Sequence, residues 1–73
     1  MNLEVYTNAL SAFYTEAAHW KFENSTGTAS NERIKSLKKK AKTLEQEYKK
    51  LPPEMQRPQV AEHIQKALSL KDS

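Results

Sequence analysis

The spacing that most suggests chemistry is that of Glu16 and His19, which form a Glu-x-x-His motif, with Glu23 one turn further along. Carboxylate di-metal proteins place this motif on bundle helices, with the ligands directed inward. A di-metal site also needs a second such motif, and Glu62-His63 has the wrong spacing. Since Glu16 and His19 fall outside the apolar stripe of their segment, we predict that both are solvated, and we expect no metal.

The composition excludes several kinds of catalytic site. The chain has no cysteine and a single glycine, which excludes thiol catalysis, thiolate zinc sites and glycine-rich phosphate loops. The one aspartate, Asp72, belongs to a C-terminal segment that we expect to fray. A chain of 73 residues also has little room for a deep substrate pocket. We therefore predict a non-enzymatic protein without a cofactor.

Basic side chains concentrate in one segment that could contact phosphates. The net charge is +3, but residues 32–51 carry eight basic and three acidic side chains, a local balance of +5. On a helix these side chains would form a line about 20 Å long, suited to sequence-independent nucleic-acid binding. The candidate nucleic-acid-binding residues are Arg33, Lys35, Lys38, Lys39, Lys42 and Lys49. With one arginine and no interleaved aromatic residue, the segment also fits a solvated helix face or a weak membrane-surface helix.

Aromatic and aliphatic residues are more abundant in the first two thirds of the chain than a short third helix can cover. An uncovered patch of such residues is typical of a protein-binding surface or a homodimer interface. The candidate protein-binding residues are Tyr6, Phe13, Tyr14, Trp20 and Tyr48. The preferred hypothesis is that this rim of the first two helices docks a partner protein with an acidic surface, or a second copy of the chain. Nucleic-acid binding through the lysine face is the alternative.

Apolar residues repeat at intervals of three and four, which predicts an all-α protein. The expected helices span about residues 3–22, 31–51 and 58–70, packed as a mostly antiparallel three-helix bundle in one domain, 1–73. Asn2 and Ser30 are predicted N-caps, Pro52 ends the second helix, and Pro58 begins the third. Residues 23–29 are predicted to be a loop, and 54–56 a turn of 3₁₀ helix. The second helix also carries a short coiled-coil-like seam.

Location is predicted from what the sequence lacks. There is no cysteine, no apolar run long enough to span a membrane, and no basic-then-apolar leader pattern at the N-terminus. These features predict a cytoplasmic protein without a membrane span.

Overall fold

The computed structural model describes residues 3–70, which contain three α-helices and no β-strand. The helices are α1 (Leu3–Thr26), α2 (Asn31–Lys49) and α3 (Pro58–Leu68), and a 3₁₀ turn, Pro53–Met55, precedes α3. The predicted all-α three-helix bundle is therefore confirmed. The predicted cap at Asn2 and the predicted fraying at 71–73 lie outside the described residues.

The first helix runs four residues further than predicted, because the hydroxyl-rich segment after Phe22 stays helical. The side-chain hydroxyls of Ser25 and Thr26 donate to the backbone carbonyl of Phe22, at 2.9 and 3.2 Å. The helix ends at Gly27, whose φ of 76° lies in the left-handed region. The N–H of Thr28 then donates to the carbonyl of Glu23 at 2.8 Å, which is the longer hydrogen bond of a Schellman motif. The loop prediction for residues 23–26 was thus wrong.

The other helix boundaries follow local signals. Ser30 caps α2, and its Oγ accepts a hydrogen bond from the N–H of Arg33 at 3.2 Å. The helix ends at Lys49, two residues before the predicted end at Leu51. Pro52 follows Leu51 and disfavours helical geometry at Leu51. Pro58 is the first residue of α3, as predicted, whereas the helix ends at Leu68 and not at residue 70. The 3₁₀ turn begins one residue earlier than predicted.

Helix α2 lies at the centre of the bundle and packs against both α1 and α3. Its contacts with α1 pair Arg33 with Glu23 and Lys40 with Glu16, which makes the two helices antiparallel. Tyr48 Oη donates a hydrogen bond of 2.9 Å to the carbonyl of Arg57, and this contact places the start of α3 beside the end of α2. α3 therefore returns antiparallel to α2, alongside α1.

The core is formed mainly by α2 and α3, with one aromatic ring from α1. Its buried members are Phe13, Leu37, Ala41, Leu44, Val60, Ile64 and Ala67. At 1.5 Å per residue, α1 is about 36 Å long and α3 about 16 Å, so α3 covers less than half of α1. Apolar side chains of α1 beyond that cover remain exposed, with Phe22 68% exposed.

Candidate docking groove

A half-open groove of about 650 Å³ separates α1 from α3 on one side of α2. Its α1 wall consists of Phe13, Tyr14, Ala17, Ala18, Trp20 and Lys21. The opposite wall consists of His63, Lys66, Ala67, Ser69 and Leu70, and α2 contributes Leu37. Three of these residues are alanines, whose short side chains leave space between the two helices.

Among the groove residues, Trp20 has a buried polar atom that lacks a hydrogen-bond partner within residues 3–70. The chain has no other tryptophan, and this side chain is half-buried against the core. Its Nε1 atom is buried and has no hydrogen-bond acceptor among residues 3–70. Leaving a buried donor unpaired costs about 1–3 kcal/mol in the folded state.

A hydrogen bond between Tyr14 and His63 spans the groove. Tyr14 Oη lies 2.8 Å from His63 Nδ1, and the rings meet edge-on with centroids 5.5 Å apart. Burial, followed by the effect of nearby Tyr6, raises the pKa of the Tyr14 phenol above its usual value. The phenol therefore stays protonated at neutral pH, and Tyr14 makes this contact as a neutral hydroxyl.

The structure separates the five residues predicted to form one rim. Tyr14 and Trp20 line the groove and are half-buried. Phe13 is 1% exposed and belongs to the core, so its ring is not available at the surface. Tyr6 and Tyr48 are both half-buried against the core, and Tyr48 donates to the carbonyl of Arg57 at the start of α3. Neither of these two tyrosines lines the groove.

The α3 wall was missed by sequence reasoning. His63, Ala67 and Leu70 are spaced by four and three residues, which places them on one face of a helix. That spacing could have indicated the wall from the sequence. His63 and Leu70 lie next to the buried stripe of Val60, Ile64 and Ala67 and widen the face that these residues form. The groove therefore belongs to α1 and α3, and α2 supplies Leu37 at its base.

Glu16 was predicted to face water, but it is buried, with only 9% of the residue exposed. Arg33 Nη1 lies 3.0 Å from Glu16 Oε1, and Lys40 Nζ lies 3.9 Å from Glu16 Oε2. Arg33 also holds Glu23 with two parallel hydrogen bonds, of 2.9 Å from Nε and 3.1 Å from Nη2. The two cations come from α2, so the ion pairs join the first two helices and allow the carboxylate to be buried.

The Glu-x-x-His motif is divided by this arrangement. His19 is exposed, as predicted, while Glu16 is turned towards α2. Within residues 3–70, no three side chains of metal-ligating type lie close enough together to hold a metal ion. In this structure the motif serves helix packing.

The lysine face of α2 is here defined as Lys35, Lys38, Lys39 and Lys42. None of the four forms an ion pair with another of the residues 3–70, and three of them are fully exposed. The remaining two candidates are paired within the chain: Arg33 with Glu16 and Glu23, and Lys49 with Glu45 at 4.0 Å. The candidate phosphate-binding line is thereby shortened to about 10 Å.

Acidification is expected to weaken the bundle through Glu16. Burial raises the pKa of this carboxyl, but hydrogen bonds from Ser36 and Arg33, together with the charges of Lys40 and Arg33, bring the pKa below the usual 4.5. A group with a lowered pKa in the folded state stabilises that state above its unfolded pKa, and the contribution is lost as the pH falls through the folded value.

Urea unfolding between pH 7 and pH 3 measures this contribution. We expect Glu16→Gln to be less stable than wild type at pH 7, with the two stability curves converging below about pH 4.5. Glu62→Gln, at an exposed position of α3, is the control and should follow wild type throughout. A constant gap between wild type and Glu16→Gln would contradict the assignment.

Comparison with known proteins adds no assignment. No family model, curated protein or solved structure matches this chain. Among residues 3–70, no helix combines the length and the apolar character needed to cross a lipid bilayer. The function of the groove and that of the lysine face therefore have to be inferred from their own geometry.

Proposed function

We propose that this chain is a non-enzymatic protein-interaction module whose α1–α3 groove receives a helical segment of a partner protein. The observation that carries the proposal is the groove itself: apolar walls from two helices, with the half-buried ring of Trp20 among the lining residues. Buried aromatic anchors with a few polar groups are typical of sites that bind a partner tightly. The predicted docking role is kept, but its surface moves from helices 1 and 2 to α1 and α3.

The shape of the groove favours a helix as its occupant. The α1 wall runs from Phe13 to Lys21, about 12 Å, which matches two turns of a second helix. Amphipathic helices bind such grooves through apolar anchors at positions i, i+3 or i+4, and i+7. A helix in this position would lie against both α1 and α3 and would convert the three-helix arrangement into a four-helix one.

Selection from a displayed library of random helical peptides tests the proposal without a known partner. We expect the selected peptides to share the i, i+4, i+7 apolar spacing and to bind wild type with micromolar affinity or better. Ala18→Phe puts a ring into the groove and should weaken binding at least 30-fold, by steric exclusion. Ala12→Phe, at an exposed alanine of the same helix outside the groove, should not.

Two results of the selection would count against the proposal. Peptides that bind Ala18→Phe as well as wild type do not use the groove. A selection that yields no helical consensus contradicts helix recognition. Sedimentation of the protein alone identifies one special case: if wild type is a dimer at micromolar concentration and Ala18→Phe is a monomer, the partner in the groove is a second copy of the chain.

The lysine face supports a second candidate function, sequence-independent binding of nucleic acid. The supporting observation is that Lys35, Lys38, Lys39 and Lys42 have no carboxylate partner in the described part of the chain, although the other cations of α2 do. When an unpaired ammonium group binds a phosphate, counterions are released from the DNA, and no internal ion pair has to be broken first. This face lies on α2 and contains none of the groove residues, so the two functions are independent.

A further inference from the structure

We infer that the groove selects an acidic amphipathic helix, an inference that rests on the proposed function and specifies the chemistry of the partner. Among residues 3–70, the charged side chains that line the groove are Lys21 on the α1 wall and Lys66 on the α3 wall, and no carboxylate of this part of the chain lines it. His63 is the third basic group of the lining. An occupant with carboxylates along its polar edges would thus find a cation on each side.

Neither lysine is strongly committed within the chain. Lys21 is exposed and forms no ion pair among residues 3–70. Lys66 lies 4.0 Å from Glu62, and both side chains are mostly exposed, at 73% and 67%. Exposed pairs at that distance are weak, so a partner carboxylate competes with Glu62 at little cost.

The polar groups of the groove leave the two lysines as the donors that an occupant can reach. Trp20 Nε1 has no acceptor within residues 3–70, but the atom is buried and does not open onto the surface. Tyr14 is hydrogen-bonded to His63, and Ser69 Oγ donates to the carbonyl of Lys66 at 2.8 Å. Carboxylates accept from ammonium groups more strongly than neutral amides do, so Lys21 and Lys66 favour Glu and Asp over Gln and Asn on the occupant.

Three synthetic peptides test the inference on the intact protein. All are held helical by the same staple and share one apolar face, while their polar faces carry Glu, Gln or Lys. Emission from Trp20, the single tryptophan of the chain, reports binding when the peptides contain no aromatic residue. At low salt we expect the Glu peptide to bind about 5- to 10-fold more tightly than the Gln peptide, through two exposed ion pairs. The Lys peptide should bind most weakly.

Variants assign the preference to the two lysines. Lys21→Gln combined with Lys66→Gln should remove the advantage of the Glu peptide, so that the Glu and Gln peptides bind the double variant with similar affinity. Lys49→Gln combined with Lys50→Gln removes the same charge from the end of α2, outside the groove, and should keep the advantage.

The outcomes separate this inference from the function on which it rests. Equal affinities for the three peptides overturn the acidic-helix inference but leave the groove as a docking site. Failure of all three to bind contradicts docking as well. Saturable binding of laurate, a small amphiphilic anion, without binding of any peptide would assign the groove to a small molecule and overturn both.

Discussion

Replacing Phe13 with alanine is expected to lower the free energy of unfolding by about 3–5 kcal/mol, the usual cost of removing a buried aromatic ring. Phe13 is 1% exposed and is the aromatic member of the buried core cluster, and its ring meets that of Tyr14 edge-on at 5.3 Å. A domain of 73 residues has a total stability of roughly 4–11 kcal/mol. The substitution should therefore remove a large part of the total stability and lower the urea midpoint. Circular dichroism with urea titration measures the change.

Phe22→Ala is the matched control, since it removes the same side chain from the same helix at a position that is 68% exposed. Its effect should stay within about 0.5 kcal/mol, as is usual for surface substitutions. Equal losses in the two variants would contradict the placement of the core, because the ring of Phe13 would then contribute no more than a solvated one.

Duplex DNA of mixed sequence is expected to bind the lysine face with a steep salt dependence. If Lys35, Lys38, Lys39 and Lys42 each neutralise one phosphate, log K should fall against log salt with a slope of about −3.6, at about −0.9 per phosphate. Changing Lys35, Lys39 and Lys42 to glutamine should reduce the slope to about −0.9 and weaken low-salt binding by one to two orders of magnitude. Fluorescence anisotropy from 20 to 200 mM salt provides both values.

A second triple variant separates a specific face from net charge. Lys21→Gln, Lys50→Gln and Lys66→Gln together remove the same charge from positions outside the lysine face and should leave the slope close to that of wild type. Equal losses of DNA affinity in the two triple variants would show that binding depends on net charge and not on the lysine face. An absence of binding to wild type even at 20 mM salt would rule out this second function.

Local sequence signals were sufficient where the structure depends on local geometry. Ser30 caps α2 and Pro58 begins α3 because these residues satisfy or avoid backbone N–H groups within one turn. The end of α1 was misplaced because serine and threonine are common in loops, yet Ser25 and Thr26 can bond to carbonyls three and four residues back and remain helical. Gly27 was the decisive signal, because its positive φ ends the helix.

Features that depend on how helices meet could not be predicted in this way. Glu16 lies off the apolar stripe of α1, and only the register between α1 and α2 brings Arg33 and Lys40 beside it. The groove likewise depends on the separation of α1 from α3, which helical periodicity does not determine. The alanines at positions 17, 18 and 67, which line the groove, were the available sign of a gap.

The most direct test of the docking groove is the ¹H–¹⁵N signal of the Trp20 indole, recorded as a library-selected peptide is added to wild type. Since the Trp20 side chain lines the groove, an occupant should change the surroundings of the ring and shift the indole signal. We predict that shift in wild type and in Ala12→Phe, and none in Ala18→Phe. An indole signal that stays in place while backbone signals elsewhere move would contradict the groove as the docking site.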